Sequence, residues 1–153
     1  MSSNLANQID KMLDDAEALT PYKRKETGTF ASGFLRAKKL DDETNSDRSF
    51  RRIQYQMLSD VADSIDSGAG GDRTTYYTAQ VLFTISYHTD NATDLVNIVT
   101  RDKSQLIGTW SNPANRYNSQ IQNVINAGSN FRAQRDKGYF LDITMTISYK
   151  EAL

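Results

Sequence analysis

The chain has 153 residues, 38% of them hydrophobic, and its 18 basic and 19 acidic residues leave a net charge of −1. This length suits a single domain, 1–153, and the near-neutral charge gives no overall attraction to nucleic-acid phosphates. With no cysteine, disulfides, thiolate catalysis and cysteine-ligated zinc are excluded. The N-terminus lacks the pattern of a signal peptide and no apolar run would cross a bilayer, so the sequence predicts a soluble protein.

Residues 1–20 are predicted to form an amphipathic helix. Its apolar residues recur at helical spacing, and most of its charged residues fall between them. The apolar positions are Leu5, Ile9, Met12, Leu13, Ala16 and Leu19. We expect the helix to end before Pro21, because proline disfavours the helical conformation in the preceding residue. Packing on the core is favoured over docking on a partner.

Residues 21–48 are predicted to form an extended arm. Its first part is basic, its second part is acidic, and its isolated apolar residues show no sustained period. A solvated loop is the simple interpretation of this charge pattern. Polar arms are usually ordered only when something holds them, so we favour an arm that packs on another subunit. Aromatic residues among cations also suit single-stranded nucleic acid, yet no recognition motif accompanies them.

Residues 49–153 are predicted to form a core of strands and helices. The apolar residues Ile53, Tyr55 and Met57 alternate with polar ones, which indicates a strand. The next apolar residues, from Leu58 to Ile65, fit either a continued strand or a helical turn. The glycine-rich segment 67–71 is predicted to be a loop, and it lacks the spacing and the Lys-Ser/Thr ending of a phosphate-binding loop.

Two later segments carry the clearest alternation in the chain. Apolar or aromatic residues occupy every second position from Tyr77 to Tyr87 and from Tyr139 to Tyr149, mostly with polar residues between them. Strands with one buried face produce this pattern. Both segments contain Thr-Ile-Ser-Tyr, at 84–87 and 146–149. Four shared residues are too few to indicate a duplicated fold, so we interpret the segments as two long strands of one sheet.

A helix is predicted between these two strands. N-cap candidates at 89–94 precede an apolar stripe that runs to about Leu106, and Gly108 is the expected stop. Residues 110–115 are predicted to be a loop.

Two short strands, 121–125 and 131–135, are predicted next, and 136–138 is the expected turn into the last strand. The order of elements predicts an α+β fold, with a mixed, largely antiparallel β-sheet and helices packed on one face.

The sequence predicts neither a catalytic nor a metal site. The single histidine, His88, ends a strand on its polar face, and one histidine cannot form a multi-histidine metal site. Four aspartates surround the glycine-rich loop without the ligand spacing or closing glutamate of an EF-hand. They are Asp60, Asp63, Asp66 and Asp72. A surface histidine and a solvated acidic loop are the simpler interpretations, so we expect no enzymatic activity and no cofactor.

The C-terminal third carries a resemblance to a known family. Phe131-Arg132-Ala-Gln-Arg135-Asp136-Lys-Gly138 leads into an alternating strand that ends with Ile143-Thr-Met-Thr-Ile-Ser-Tyr149. This resembles the end of the tail-terminator proteins of long-tailed bacteriophages, where an Arg/Asp-rich turn with glycine precedes a final strand closing near Ile-x-Tyr. The order of elements over 50–150 is also similar, whereas the arm 21–48 is longer than the family pattern.

The resemblance implies a structural virion protein of the tail or neck, assembled in the host cytoplasm. A homohexameric ring would cap the tail tube, stop its polymerisation and join it to the head-completion or connector protein. Genomic DNA would pass through the ring without sequence-specific binding, and no membrane would be involved. We expect the oligomer or tail-tube interface to include Lys23, Arg24, Lys25, Arg36, Arg132, Arg135, Asp136 and Lys137. Another neck protein, a tail-tube protein and a nucleic-acid-binding module are the alternatives.

Overall fold

A computed structural model describes residues 2–19, 22–23, 30–31, 35–36, 51–67, 73–87, 95–134 and 138–152. Within these ranges the chain forms two α-helices, one short 3-10 helix and seven strands. In chain order they are α1 (Ser3–Glu17), β1 (Tyr22–Lys23), β2 (Phe30–Ala31), β3 (Leu35–Arg36), β4 (Arg51–Ser67), β5 (Arg73–Tyr87), α2 (Leu95–Ser111), the 3-10 helix (Pro113–Asn115), β6 (Ile121–Gln134) and β7 (Gly138–Ala152).

The main sheet has five strands in the order β3-β4-β5-β7-β6. The four long strands are antiparallel to their neighbours, and β3 pairs in parallel with the start of β4. Both helices pack against this sheet through one hydrophobic core. The predicted α+β class and the mixed, largely antiparallel sheet are therefore confirmed.

The twin strands β5 and β7 are neighbours in the middle of the sheet. Their antiparallel register places Val81 opposite Met145 and Tyr77 opposite Tyr149. The positions predicted to face inwards are almost all buried in the core, as the alternation required. The two Thr-Ile-Ser-Tyr copies lie at opposite ends of the pair, because the strands run in opposite directions.

Strand β4 continues to Ser67, so the helical alternative for its second half is wrong. Two irregularities, between Met57 and Ser59 and between Ala62 and Ser64, each insert an extra residue against β5. A β-bulge of this kind moves the following side chains to the other face of the sheet. The apolar residues from Leu58 to Ile65 therefore do not share one face: Val61 lies opposite Thr78, whereas Ala62 lies opposite Tyr77. Their spacing resembles that of a helix although the segment is extended.

Strand β6 is continuous over 14 residues, which corrects the prediction of two short strands. Its polar and small central residues pair with β7 despite their low strand propensity, and the register shifts between Asn126 and Gly128. The Asn126 side-chain amide donates to the carbonyl oxygens of Gly128 and Thr144, both at 3.1 Å. Gly128 has a φ of 155°, a conformation that side chains disfavour. These hydrogen bonds help to keep this segment in the strand although it has no alternating apolar pattern.

Helix α2 extends to Ser111, so Gly108 is not its stop. Trp110, predicted to lie in a loop, is buried in the last turn of the helix and contacts the Phe83 ring at a centroid distance of 4.5 Å. Its indole Nε1 donates to the Met12 carbonyl of α1 at 2.9 Å. These tertiary contacts outweigh the helix-ending preference of glycine. The predicted N-cap segment, 89–94, lies outside the described residues.

Helix α1 confirms the predicted amphipathic pattern. Ser2 caps its start, accepting a hydrogen bond from the Leu5 amide, and the predicted apolar positions up to Ala16 are buried in the core. Within the arm, β1 pairs with β2 and β3 pairs with β4, while the remaining arm residues lie outside the described ranges. The β3 pairing attaches part of the predicted arm to the chain's own sheet.

Candidate assembly surfaces

The eight predicted interface residues fall on different parts of the chain. Lys23 lies in β1 opposite Phe30, and Arg36 lies in β3 opposite Ile53, with only their backbone described. Arg132 lies in β6 and is the member whose side-chain contacts are defined. The other five lie outside the described residues: Arg24, Lys25, Arg135, Asp136 and Lys137. The structure therefore does not bring these charges together into one described site.

Arg132 is held in place on the sheet face that lies away from the helices. Its Nε is 2.6 Å from Asp142 Oδ2, and its guanidinium lies over the Phe140 ring, 4.6 Å from the centroid. The Thr84 hydroxyl donates to the other Asp142 oxygen at 2.9 Å, which extends the contact from β6 across β7 to β5. The side chain is one third exposed, so the pair orients Arg132 more than it stabilises the fold.

A second charge cluster is fully buried. Arg51 Nη1 is 2.6 Å from Asp102 Oδ1, and the Tyr87 hydroxyl donates to Asp102 Oδ2 at 2.9 Å. Burial raises the pKa of Asp102, while the nearby Arg51 charge and the Tyr87 hydrogen bond act against this rise. Burial, followed by the Asp102 charge, also raises the pKa of Tyr87. The cluster joins the start of β4, the end of β5 and helix α2, so its position indicates a structural role.

The acidic residues near the glycine-rich segment are partly built into the sheet. The Tyr149 hydroxyl donates to both carboxylate oxygens of Asp60, at 2.7 and 2.9 Å, and Asp63 accepts from the Thr78 hydroxyl. Burial raises the pKa of Tyr149, and its hydrogen bond to Asp60 adds to the effect. Asp60 and Asp63 are exposed, as expected, but they lie in β4, so the prediction that they belong to a loop is wrong.

Candidate metal ligands do not converge in the described part of the chain. No group of three or more His, Asp or Glu side chains there is placed to hold a metal ion. His88 and Asp72 lie outside the described residues, and only the backbone of Asp66 is described.

The two edge strands of the main sheet, β4 and β6, carry most of the exposed apolar surface that the structure describes. Beyond Ile53, where β3 pairs, β4 has no described strand on its outer side, and β6 has none along its whole length. Five of the seven exposed large hydrophobic residues among those described lie on these two strands, which places the uncovered apolar surface at the sheet edges. They are Tyr55, Leu58 and Val61 on β4, and Ile125 and Phe131 on β6.

Sequence patterns draw attention to the charged residues and miss these edges. Alternation predicts which face of a strand is buried, but it carries no information about which strand ends up at the edge of a sheet. By alternation alone, the exposed apolar residues of β4 and β6 cannot be distinguished from core positions. Long edge strands with apolar side chains are sites where another chain can pair.

No protein-family model matches the chain, and no curated protein matches it significantly. None of the described helices is both long and apolar enough to span a membrane.

Proposed function

We propose that this chain is a tail terminator of a bacteriophage, a structural virion protein whose ring caps the tail tube. The ring stops polymerisation of the tube and joins it to the head connector. The observation that carries the proposal is the segment 131–149, whose Arg/Asp-rich turn and final alternating strand resemble the end of the tail-terminator proteins.

The position of this segment in the fold supports the proposal. Residues 131–134 end β6, Gly138 begins β7, and Gln134 pairs with Gly138, so the described parts of the segment lie in two paired strands. Arg132, near the end of β6, is held in place by Asp142 and Phe140. A charged side chain held in this way suits a subunit that docks on a tube end, because little side-chain order is lost on binding.

Three other charged residues that the structure describes also suit a structural subunit. Arg51 and Asp102 are buried as a pair, and Asp60 accepts hydrogen bonds from Tyr149. These groups join elements of the fold to one another. A ring subunit needs such internal order together with surfaces for its neighbours, and the two sheet edges supply those surfaces.

Deletion of the coding sequence from the phage genome that carries it tests the proposed role. We expect filled heads without attached tails, together with tail tubes of irregular and excessive length, in electron micrographs of the lysate. Tubes of normal length that fail to join heads would instead indicate a neck protein, and the absence of tubes would indicate a tube protein. Infectious particles of normal form would contradict all three.

Light scattering coupled to size exclusion tests the ring itself. We expect the purified chain, alone or with the tube protein, to give a species of about six chain masses that sits at the tube end. The proposal would be contradicted by a stable monomer that does not bind tube ends and whose affinity for DNA falls steeply as the salt concentration rises. That result would favour the nucleic-acid-binding alternative.

A further inference from the structure

We infer that the outer edge of β4 binds the outer edge of β6 from a second copy of this chain, in one defined antiparallel register. The inference deepens the proposed function, on which its closure into a ring rests, by naming the surface through which subunits meet. The pairing itself follows from the two strands alone.

The lengths and directions of the two edges match. Within one chain, β4 and β6 lie at opposite edges and are antiparallel to each other, because three antiparallel pairings separate them. A copy rotated about an axis along the strands therefore brings its β6 antiparallel to β4. The part of β4 without a described outer partner, from Gln54 to Ile65, is as long as the segment from Ile121 to Arg132.

One register aligns the exposed apolar residues of both strands. If Phe131 lies opposite Tyr55, then Ile125, six residues earlier in β6, lies opposite Val61, six residues later in β4. Midway between these pairs, Leu58 lies opposite Gly128, whose missing side chain leaves room for it. Cross-strand pairs of this kind are the unit of sheet stabilisation.

The same register also matches the faces of the sheet. Tyr55 and Phe131 share the helix-covered face, since they pair with Phe83 and Leu141 of the core. Val61 and Ile125 share the other face, opposite Thr78 and Thr146. Each strand changes face through one register shift, between Met57 and Ser59 in β4 and between Asn126 and Gly128 in β6. The two irregularities therefore coincide in the proposed pair.

When an edge is paired with its own copy so that its exposed apolar residues meet, those residues lie on different faces of the sheet. A two-fold pairing of β4 around Leu58 places Tyr55 opposite Val61, although these residues lie on different faces. A two-fold pairing of β6 around Gly128 has the same conflict between Phe131 and Ile125. Directly opposite residues share a face, so the β4-to-β6 contact accounts for the exposed residues and the self-pairings do not.

Charges are compatible with this contact. The β6 segment from Ile121 to Phe131 contains no charged residue. In the proposed register Asp60 and Asp63 of β4 lie opposite Asn126 and Asn123, so neither carboxylate meets another. An interface between different surfaces of the same chain closes into a ring or continues as a filament.

Edge-blocking variants test the pairing in solution. Val61→Lys blocks the β4 edge and Ile125→Lys blocks the β6 edge, because an edge lysine opposes strand addition. We expect each variant alone to be monomeric, and a mixture of the two to form a pair of chains and nothing larger. Val96→Lys, at an exposed position of α2, is the matched control and should assemble like the unmodified chain. A single edge variant that still dimerises would indicate self-pairing and overturn the inference.

Cysteine crosslinking tests the register, and the chain is free of competing thiols. Directly opposite residues in an antiparallel pair are close enough for a disulfide. After mild oxidation of concentrated mixtures, we expect Val61→Cys with Ile125→Cys to give a covalent dimer. Val61→Cys with Phe131→Cys, displaced by roughly 20 Å along the strand, should give at least tenfold less. Equal yields, or no product from the first pair, would overturn the inference.

These tests separate the contact from the proposed function. A chain that crosslinks as expected but whose deletion leaves phage tails unchanged would retain the interface and lose the terminator role. A chain whose deletion gives overlong tails, yet fails to crosslink, would retain the role and lose the interface.

Discussion

At the scale of single residues, two ion pairs of equal length have very different surroundings. Both the Arg51–Asp102 and the Arg132–Asp142 contacts are 2.6 Å, but the first pair is completely buried and the second is partly exposed. A buried charge that loses its partner has no solvent to replace it, whereas an exposed charge is rehydrated. Burial therefore decides what each pair contributes.

Removal of one buried partner should be costly. We expect Asp102→Asn to lower the free energy of unfolding by about 3–5 kcal/mol, because Arg51 is left charged in the core. Asp142→Asn, the matched change in the exposed pair, should cost about 1 kcal/mol or less. Urea unfolding followed by Trp110 fluorescence measures both. Equal losses in the two variants would contradict the role assigned to burial.

The buried Tyr87 hydroxyl predicts a dependence of stability on alkaline pH. Burial and Asp102 raise its pKa in the folded protein above the ordinary value of 10.0. Its contribution is fully present below that pH and is lost as the pH rises, because the unfolded chain releases the proton first. We expect the free energy of unfolding to fall above about pH 10, by up to roughly 1.4 kcal/mol per pH unit for this group.

Tyr87→Phe should reduce that slope, measured by urea unfolding at a series of pH values. Some slope should remain, since burial also raises the pKa of Tyr149. Val96→Ala, at an exposed position without a titratable side chain, is the control and should leave the slope as it is. An unaltered slope in Tyr87→Phe would show that its proton is not linked to unfolding.

At the scale of elements, two glycines that the sequence predicts to end an element or a turn, Gly108 and Gly138, differ in conformation. Gly108, the predicted end of a helix, lies within α2, and an added Cβ there would meet no atom within 4 Å. Gly138, the predicted close of a turn, has a φ of 101° at the start of β7, with the Tyr87 carbonyl oxygen 3.6 Å from the position of an added Cβ. Only the second position requires glycine.

Alanine at these two positions should therefore act in opposite directions. Gly108→Ala should raise the free energy of unfolding by about 0.5–1 kcal/mol, because alanine costs less backbone entropy in a helix. Gly138→Ala should lower it by about 1 kcal/mol or more, because a side chain is strained at positive φ. Thermal unfolding followed by circular dichroism measures both changes. Stabilisation by Gly138→Ala would contradict the positive φ at this position.

The elements that were predicted correctly are those whose pattern repeats without interruption. Strands β5 and β7 alternate regularly along their length, and α1 keeps a helical stripe, so local periodicity defines each of them. The bulges of β4 and the polar centre of β6 break the period, because their pairing partners, rather than their own side chains, hold them extended. The end of α2 depends on Trp110 packing against Phe83, a contact distant in sequence.

The candidate functional residues also divide into those that a local sequence pattern indicates and those that only the folded structure brings together. Arg132 could be selected from the sequence because it stands beside a turn motif that resembles a known family. The Arg51–Asp102–Tyr87 cluster could not, since its members come from β4, α2 and β5 and carry no shared local pattern. The edge residues of β4 and β6 became visible only with the strand order.

At the scale of the whole molecule, the chain consists of two similar halves that meet in the middle of the sheet. Each half contains one helix and one pair of long antiparallel strands, α1 with β4 and β5 and α2 with β6 and β7, while the short strands β1 to β3 lie between α1 and β4. The two strand pairs join through the β5–β7 pairing, which runs from Thr74 to Tyr87 along β5. Trp110 then links the second half to both the helix and the strand pair of the first. The two halves therefore share one hydrophobic core.

Unfolding should therefore be a single cooperative transition. Trp110 is the only tryptophan, so its fluorescence reports the contact between the two halves, while circular dichroism reports the whole sheet. We expect both probes to give the same urea midpoint, and Phe83→Ala in the first half to lower both midpoints equally, through a loss of about 3–5 kcal/mol. Val96→Ala, at an exposed position, should leave both within about 0.5 kcal/mol of the unmodified chain. Separate midpoints for the two probes would mean that the halves unfold independently, and the central strand pair would then not unite the fold.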